Sequence, residues 1–388
     1  MIENKVMKRV LYVGFNKKYL NPHSETILRI LGSIMDFSFY GLGYSNQEAL
    51  DLGIESWVAL QDEFDFIMAD GAVILSPELY ENVDENSLFK MDIINFKPKG
   101  NYLKYVSEFH SFFVNSSYEK IIFSNFDAYQ IKQTTVDTII KTKAYIIDFG
   151  GRHLYDSLKS INEKYDMKKF KANDNWFNFL KKYEERIIVV PHTIGSLEFD
   201  FTPIALRKNK FTVIGAGYAE RKEALKILPL QMRFHHFFNQ IKGFINSKLK
   251  SKMTSKKMAL YQSSYFKKIT DSQFTYCSGG PVLYPVRKYY EIPARGSVPI
   301  GRECSGFTDL GFINGENFIV AKNNIELKTS LEKYSINQLQ KIANQGRKLI
   351  WEKHSDWARR EQLKTIFNLI FQGKFKGSYW EKGEYKIN

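Results

Sequence analysis

Cysteine is nearly absent: the 388-residue chain has two, Cys277 and Cys304. They have neither the spacing of a metal site nor the number of a disulfide framework. No apolar run reaches about 18 residues, so no bilayer-spanning helix is expected. The opening MIENKVMKRVLYVGF passes almost directly into strand-like sequence. It has no apolar signal region and no small-residue cleavage site, and the expected location is a reducing cytoplasm. No internal repeat is visible. No recognition motif for nucleic acid accompanies the charge, so a specific nucleic-acid partner is not expected.

What is present suffices for packed cores: 44% hydrophobic and 15% aromatic residues. The length predicts two ordinary domains or one very large one. The net charge is +14. It reads as non-specific nucleic-acid attraction, as attraction to an anionic membrane or acidic glycan, or as plain composition in a chain rich in Lys, Asn, Ile and Phe. One local cluster stands out. From Arg221 to Lys257 there are ten Lys or Arg and one acidic residue, Glu223. Phe234, Phe237, Phe238, Ile241 and Ile245 recur there at helical spacing. Residues 232–257 thus suit a helix lying on an anionic membrane surface, or a domain helix with Phe inward and Lys outward.

Apolar runs separated by helix-length segments predict a parallel sheet with helices on both faces. The runs are RVLYVG (9–14), DFSFYGLGY (36–44), EFDFIMAD (63–70), YEKIIFSNFDAY (118–129), KAYIIDFGG (143–151) and ERIIVVPH (185–192). Ser24 can cap a helix carrying Ile27, Leu28, Leu31 and Ile34. In such sheets ligands bind beyond the carboxyl ends of the strands. The residues standing there are Gly14, Phe15, Asn16, Asp70, Asp127, Asp148, Arg152, His153 and His192. Each has a plainer role too, since an aspartate after a strand commonly caps the next helix. Asp127 lies among aromatics in SNFDAY, a setting that suits sugar rings.

A second series begins with FTVIGAGYAERK, a strand, a Gly-x-Gly turn (Gly215, Gly217) and a helix with Arg221 and Lys222. The most informative stretch is Cys277 to Gly301, CSGGPVLYPVRKYYEIPARGSVPIG. Ser278, Gly279 and Gly280 let backbone approach a ligand and turn N–H groups toward it. A short basic-aromatic helix follows, with Arg287 and the carboxylate Glu291. Gly296 then permits a tight return into an apolar strand. Further on, Ser335 and Gln338 make a capping box, with Leu339, Ile342 and Ala343 lining the helix behind it. Ser355 caps a last helix that Gly373 stops. The segment Phe375–Asn388 reads as a polar and aromatic surface tail.

The order Glu291, Gly296, Pro299, Ile300 resembles the donor site of GT-B glycosyltransferases, "E-x-x-x-x-G-x-P-[VI]". Arg287, Tyr290, Glu291 and Gly296 are also similar to the "R-x-F-E-x-x-x-x-G" of the CgeB-like group, with Tyr for Phe. Pro191, Gly195, Phe201 and Pro203 resemble the family's hinge. Gly215, Gly217 and Arg221 resemble its first donor-domain turn, and Gly311 and Gly315 its next glycine pair. His354, Ser355 and Arg359 resemble the segment that closes that domain. The resemblance implies an α/β fold of two Rossmann-like domains whose parallel sheets face across a cleft. Its divisions would be 1–200, an acceptor-side domain, 201–365, a nucleotide-sugar domain, and 366–388, returning towards the first.

The implied activity is transfer of a sugar from a nucleotide-sugar to a glycan, lipid-linked or protein acceptor, as in surface polysaccharide synthesis. Gly215, Gly217, Arg221, Lys222, Ser278, Gly279, Gly280 and Arg287 would hold the diphosphate, a guanidinium fork being suited to it. Glu291 would accept the ribose hydroxyls. Asp127 and His192 are the candidate bases. No glycine-flanked DxD-like pair is present, so metal-independent transfer without a cofactor is expected. Leu283 stands where many retaining relatives carry a second Glu. That departure leaves two alternatives open: a non-catalytic nucleotide-sugar-binding protein, or a GT-B nucleotide-sugar epimerase. A peripheral position on the inner membrane face would follow if 232–257 binds lipid.

Overall fold

A computed structural model describes residues 7–16, 22–74, 102–123, 132–149, 175–215, 219–228, 255–280 and 283–388. Six strands form the first sheet: β1 (Arg9–Val13), β2 (Asp36–Tyr40), β3 (Phe66–Asp70), β4 (Glu119–Phe123), β5 (Tyr145–Asp148) and β6 (Ile187–Val189). Their order is β2-β1-β3-β4-β5-β6 and every pairing is parallel. The chain leaves β1 for one neighbour and returns to the other, so the strand order switches between β1 and β3.

The apolar runs are continuous because both faces of the sheet are covered. Leu11, Val13, Ile67 and Ile122 point to one side, where helix Tyr102–Asn115 brings Val106, Phe109 and Phe113. Val10, Tyr12, Met68 and Ile121 point to the other, against Ile27, Ile30 and Leu31 of helix Pro22–Leu31. The rest of that second layer comes from far along the chain. Helix Asp356–Phe371 lays Leu363, Ile366, Phe367 and Ile370 on it, spaced to share one helical face.

The second sheet has four parallel strands in the order β10-β9-β8-β7. They are β7 (Asn209–Thr212), β8 (Ser272–Cys277), β9 (Val298–Gly301) and β10 (Ile319–Val320). Helices Asn324–Lys333 and Ile336–Leu349 cover one face, burying Leu327, Leu331, Leu339, Ile342 and Ala343. The expected capping box forms: Gln338 N–H donates to Ser335 Oγ, and the Gln338 side chain accepts from Ser335 N–H. The fold is thus α/β with two Rossmann-like parallel sheets, as the resemblance implied. Among the described residues no helix is long and apolar enough to cross a membrane. The proposed membrane-facing stretch 232–257 lies outside the described residues, except for the first turn of helix Ser255–Thr270.

The final segment is not a surface tail. It folds into the hairpin β11 (Ser378–Glu381) and β12 (Glu384–Ile387). Lys382 and Gly383 both take positive φ, the turn geometry that matches strand twist. Glu381, Lys382 and Glu384 are exposed while Trp380 is fully buried, stacked on His354 at 4.5 Å. The hairpin also shields the edge of the first sheet: Val189 N–H donates to Ser378 Oγ, and the Tyr385 hydroxyl donates to the Val189 carbonyl, each at 2.9 Å. Trp380→Ala should therefore destabilise the protein by about 3–5 kcal/mol, the range for buried aromatic truncations. Urea unfolding checks this; a loss below about 1 kcal/mol would place Trp380 outside the core.

Candidate functional site

The second sheet ends in close backbone approaches that only glycine allows. A Cβ on Gly301 would lie 2.0 Å from the Cys277 carbonyl oxygen, so β8 and β9 part there with nothing between them. Past β8 the chain turns sharply through Ser278, Gly279 and Gly280. A Cβ on Gly279 would meet Leu283 and Tyr284 backbone at 2.5–2.7 Å. Leu283 itself takes φ +47°, a left-handed conformation that is costly for a branched side chain. Leu283, where the resemblance expects a second glutamate, thus lies in a strained turn, held by Ser305 N–H donating to its carbonyl at 2.8 Å. Ser278 is fully buried, and its hydroxyl has no hydrogen-bond partner among the described residues.

Two cations converge on Gly215, which follows β7 with φ +97°. A Cβ there would lie 2.3 Å from Lys288 Nζ and 3.2 Å from Arg221 Nη1. Arg221 is 3% exposed and reaches to 3.5 Å from the Ser278 carbonyl oxygen. Lys288 makes no hydrogen bond and no ion pair among the described residues. Burial, and then the neighbouring Arg221, push the Lys288 ammonium down to about 8. Two cations held this close and out of water favour an anion beside them. Lys222, the neighbour of Arg221, is instead exposed. Successive helix residues diverge by about 100°, so only one of that pair can face the turn.

Arg287 begins helix Lys288–Ala294 and holds the site to the segment linking the two sheets. Its Nε donates to Glu291 Oε1 at 2.5 Å and its Nη2 to Glu198 Oε2 at 2.5 Å. Its Nη1 donates to the Thr193 carbonyl at 3.2 Å. Burial works against the guanidinium, but Glu291 and Glu198 outweigh it and hold Arg287 above its ordinary value. The other Glu291 oxygen accepts from the Tyr265 hydroxyl at 2.9 Å. Thr193 is held from a second side, its hydroxyl accepting from Arg359 Nε at 3.2 Å. Arg359 is fully buried, with its cation 5.6 Å from the Trp380 ring and 5.9 Å from that of Tyr385.

His192 sits on this linking segment, stacked on Phe149 at 5.6 Å and beside Tyr290 at 6.1 Å. Burial first, and then Arg287, push its imidazole down to about 3. Burial thus favours the neutral imidazole, the form in which a histidine can accept a proton. Asp127, Gly217, Arg152 and His153 lie outside the described residues. Gly14, Asp70 and Asp148 stand at the carboxyl ends of the first sheet, and Asp70 and Asp148 are buried. Gly296 takes φ +65°, and a Cβ there would also lie 2.8 Å from Arg207 Nη2. Lys288, Glu198 and Tyr265 were not among the sequence candidates. Lys288 adjoins Arg287 and was legible in principle; Glu198 and Tyr265 carry no local signal.

No protein-family model matches the chain, and no curated protein matches it. Solved structures do. The crystal structure of Anabaena Alr3699/HepE in complex with UDP and glucose is similar with a TM-score of 0.51 at 9% identity, over 93% of this chain and 99% of that one. The same protein in complex with UDP gives 0.51 and 9%, over 93% and 100%. At that identity the likeness is one of fold.

The Lys288 shift has a consequence for stability. The unfolded chain keeps this proton up to about 10.5, while the folded chain releases it from about 8. Between those values the unfolded state binds more protons, so stability rises with pH across the window. Lys288→Met should abolish its share of that rise and be more stable than wild type at pH 7. Urea unfolding at pH 7 and pH 10 checks both; equal pH slopes would refute the buried ammonium.

Proposed function

We propose that the chain is a GT-B glycosyltransferase that takes its sugar from a nucleoside-diphosphate donor. The observation that carries this is the cation pair at Gly215. Arg221 and Lys288 face the same point, and the Ser278 hydroxyl, beside Arg221's contact, has no hydrogen-bond partner among the described residues. Such a group suits a diphosphate, whose two negative charges would relieve the repulsion and whose oxygens would take the donors. Glu291 follows Lys288 by three residues on one helix, about 4.5 Å along its axis. A cation for phosphate and a carboxylate for sugar hydroxyls at that separation fit one nucleoside diphosphate. The fold likeness to a structure holding UDP supports the same class of ligand.

In this reading transfer proceeds as the bond between the sugar and the diphosphate breaks. The electron pair goes to the diphosphate oxygen, and Arg221 and Lys288 stabilise the charge that develops there. The acceptor hydroxyl attacks the anomeric carbon and loses its proton. Asp127 of the first domain and His192, whose neutral form burial favours, are the candidates for that proton. The acceptor is a glycan, a lipid-linked sugar or a protein, consistent with surface-glycan synthesis on the cytoplasmic side. Transfer without a metal follows from the use of side-chain cations at the leaving group. The strained Leu283 turn, where a second glutamate would anchor the donor, keeps the non-catalytic binding protein as the alternative. Release of UDP from a UDP-sugar, measured with and without mixed glycan acceptors, separates the two.

Calorimetry with UDP tests the donor site. Wild type should bind. Lys288→Met and Arg221→Met should each weaken binding about 10- to 100-fold, the range for a hydrogen bond to a charged group. Glu291→Ala should weaken it as well. If none of UDP, GDP, ADP, CDP or dTDP binds wild type, or if the Lys288 variant binds as well, the reading is wrong.

A further inference from the structure

The Arg287 guanidinium is divided between two carboxylates in a way that bears on the donor carboxylate. Nε and Nη2 lie side by side on one edge of the group, and one carboxylate commonly takes both in a fork. Here Glu291 receives Nε alone and Glu198 receives Nη2, each at 2.5 Å. Glu198 is not on the helix of Arg287. It lies 89 residues earlier, on the segment joining the sheets, and its other oxygen accepts Gly195 N–H at 2.9 Å. The three side chains are 14% (Arg287), 22% (Glu198) and 7% (Glu291) exposed, so these bonds act in a medium much less polar than water.

An ionised carboxylate has about four acceptor positions. Glu291 uses one on each oxygen, for Arg287 and for Tyr265. One position on each oxygen therefore remains, which is what two adjacent hydroxyls of a nucleoside's ribose require. A fork from Arg287 would take the remaining position on Oε2 and turn the carboxylate plane toward the guanidinium.

We propose that Glu198 is a positioning residue that holds Arg287 Nη2 away from Glu291, keeping both Glu291 oxygens open to the donor. This rests on the donor-site reading given above. Glu198 acts through Arg287 and does not touch the donor. Because it also holds Gly195 N–H, Gly195 is linked to Glu291 through three hydrogen bonds.

The test has two arms. The first needs no ligand: in a crystal structure of Glu198→Ala, Arg287 Nε and Nη2 should both lie on Glu291. If Nη2 stays off Glu291, the proposal fails. The second is a double-mutant cycle read by UDP calorimetry. Glu198→Ala should bind UDP about tenfold more weakly than wild type, one hydrogen bond to a charged group. Adding Arg287→Met removes the fork, so Arg287→Met should cost less UDP affinity in the Glu198→Ala background than in wild type. A role in folding only predicts instead a further, additive loss, and that outcome overturns the proposal. If Glu198→Ala does not fold, Glu198→Met carries both arms, since it keeps the bulk of the side chain and removes both acceptor oxygens. A wild type that binds no UDP, together with a closed fork in the variant, would strike the donor reading and leave the positioning role standing.

Discussion

A buried cation shared between two carboxylates holds this molecule's parts in register. Arg287 is a side chain that water has largely left, and an isolated guanidinium in that setting would be costly. Glu291 and Glu198 supply the compensation, and the Thr193 carbonyl completes it. The three partners come from different places: one turn along the same helix, the start of the linking segment, and its continuation. None can move far without uncovering a charge. Tyr265 then has a fixed acceptor in Glu291, and Arg359 holds Thr193 from behind. The geometry of the candidate donor site is thus inherited from the junction between the sheets.

The two sheets solve the same problem at their carboxyl ends with the same device. In the first, a Cβ on Gly41 would strike the Gly14 carbonyl oxygen at 2.1 Å; in the second, one on Gly301 would strike that of Cys277 at 2.0 Å. Adjacent parallel strands can separate into loops there only if one residue has no side chain. That leaves backbone and the following residues facing whatever lies beyond the strands. In the second sheet the occupants are the Gly215 turn and the two cations. The chemistry is local, but the room for it is made by glycine backbone.

The order and type of the strands were legible because both faces of each sheet are buried, which writes long apolar runs into the sequence. Ile27, Leu31, Leu339 and Ile342 were legible for the same reason at helical spacing. The ion pair of Arg287 with Glu291 is four residues long and could be read as one helix turn. Glu198 could not, because nothing local distinguishes it from an exposed glutamate; its partner is distant in sequence. Lys222 was favoured over Lys288 by its place beside Arg221, yet helix rotation turns it to solvent. Trp380 was misread because a hairpin of two four-residue strands has too few residues to show a period. Its burial comes from tertiary contacts with His354 and Arg359.

The hairpin and the helix before it carry an implication for synthesis. Domains ordinarily fold as they leave the ribosome, amino-terminal portion first. Here the first sheet emerges early, yet one of its faces is closed by Leu363 to Ile370 and its β6 edge by Ser378 and Tyr385. While the second half is being made, that face and that edge are open to water and to other chains. An open parallel edge and an apolar face are where nascent chains stick to one another. The first sheet is therefore completed only once residues 356–387 have been made.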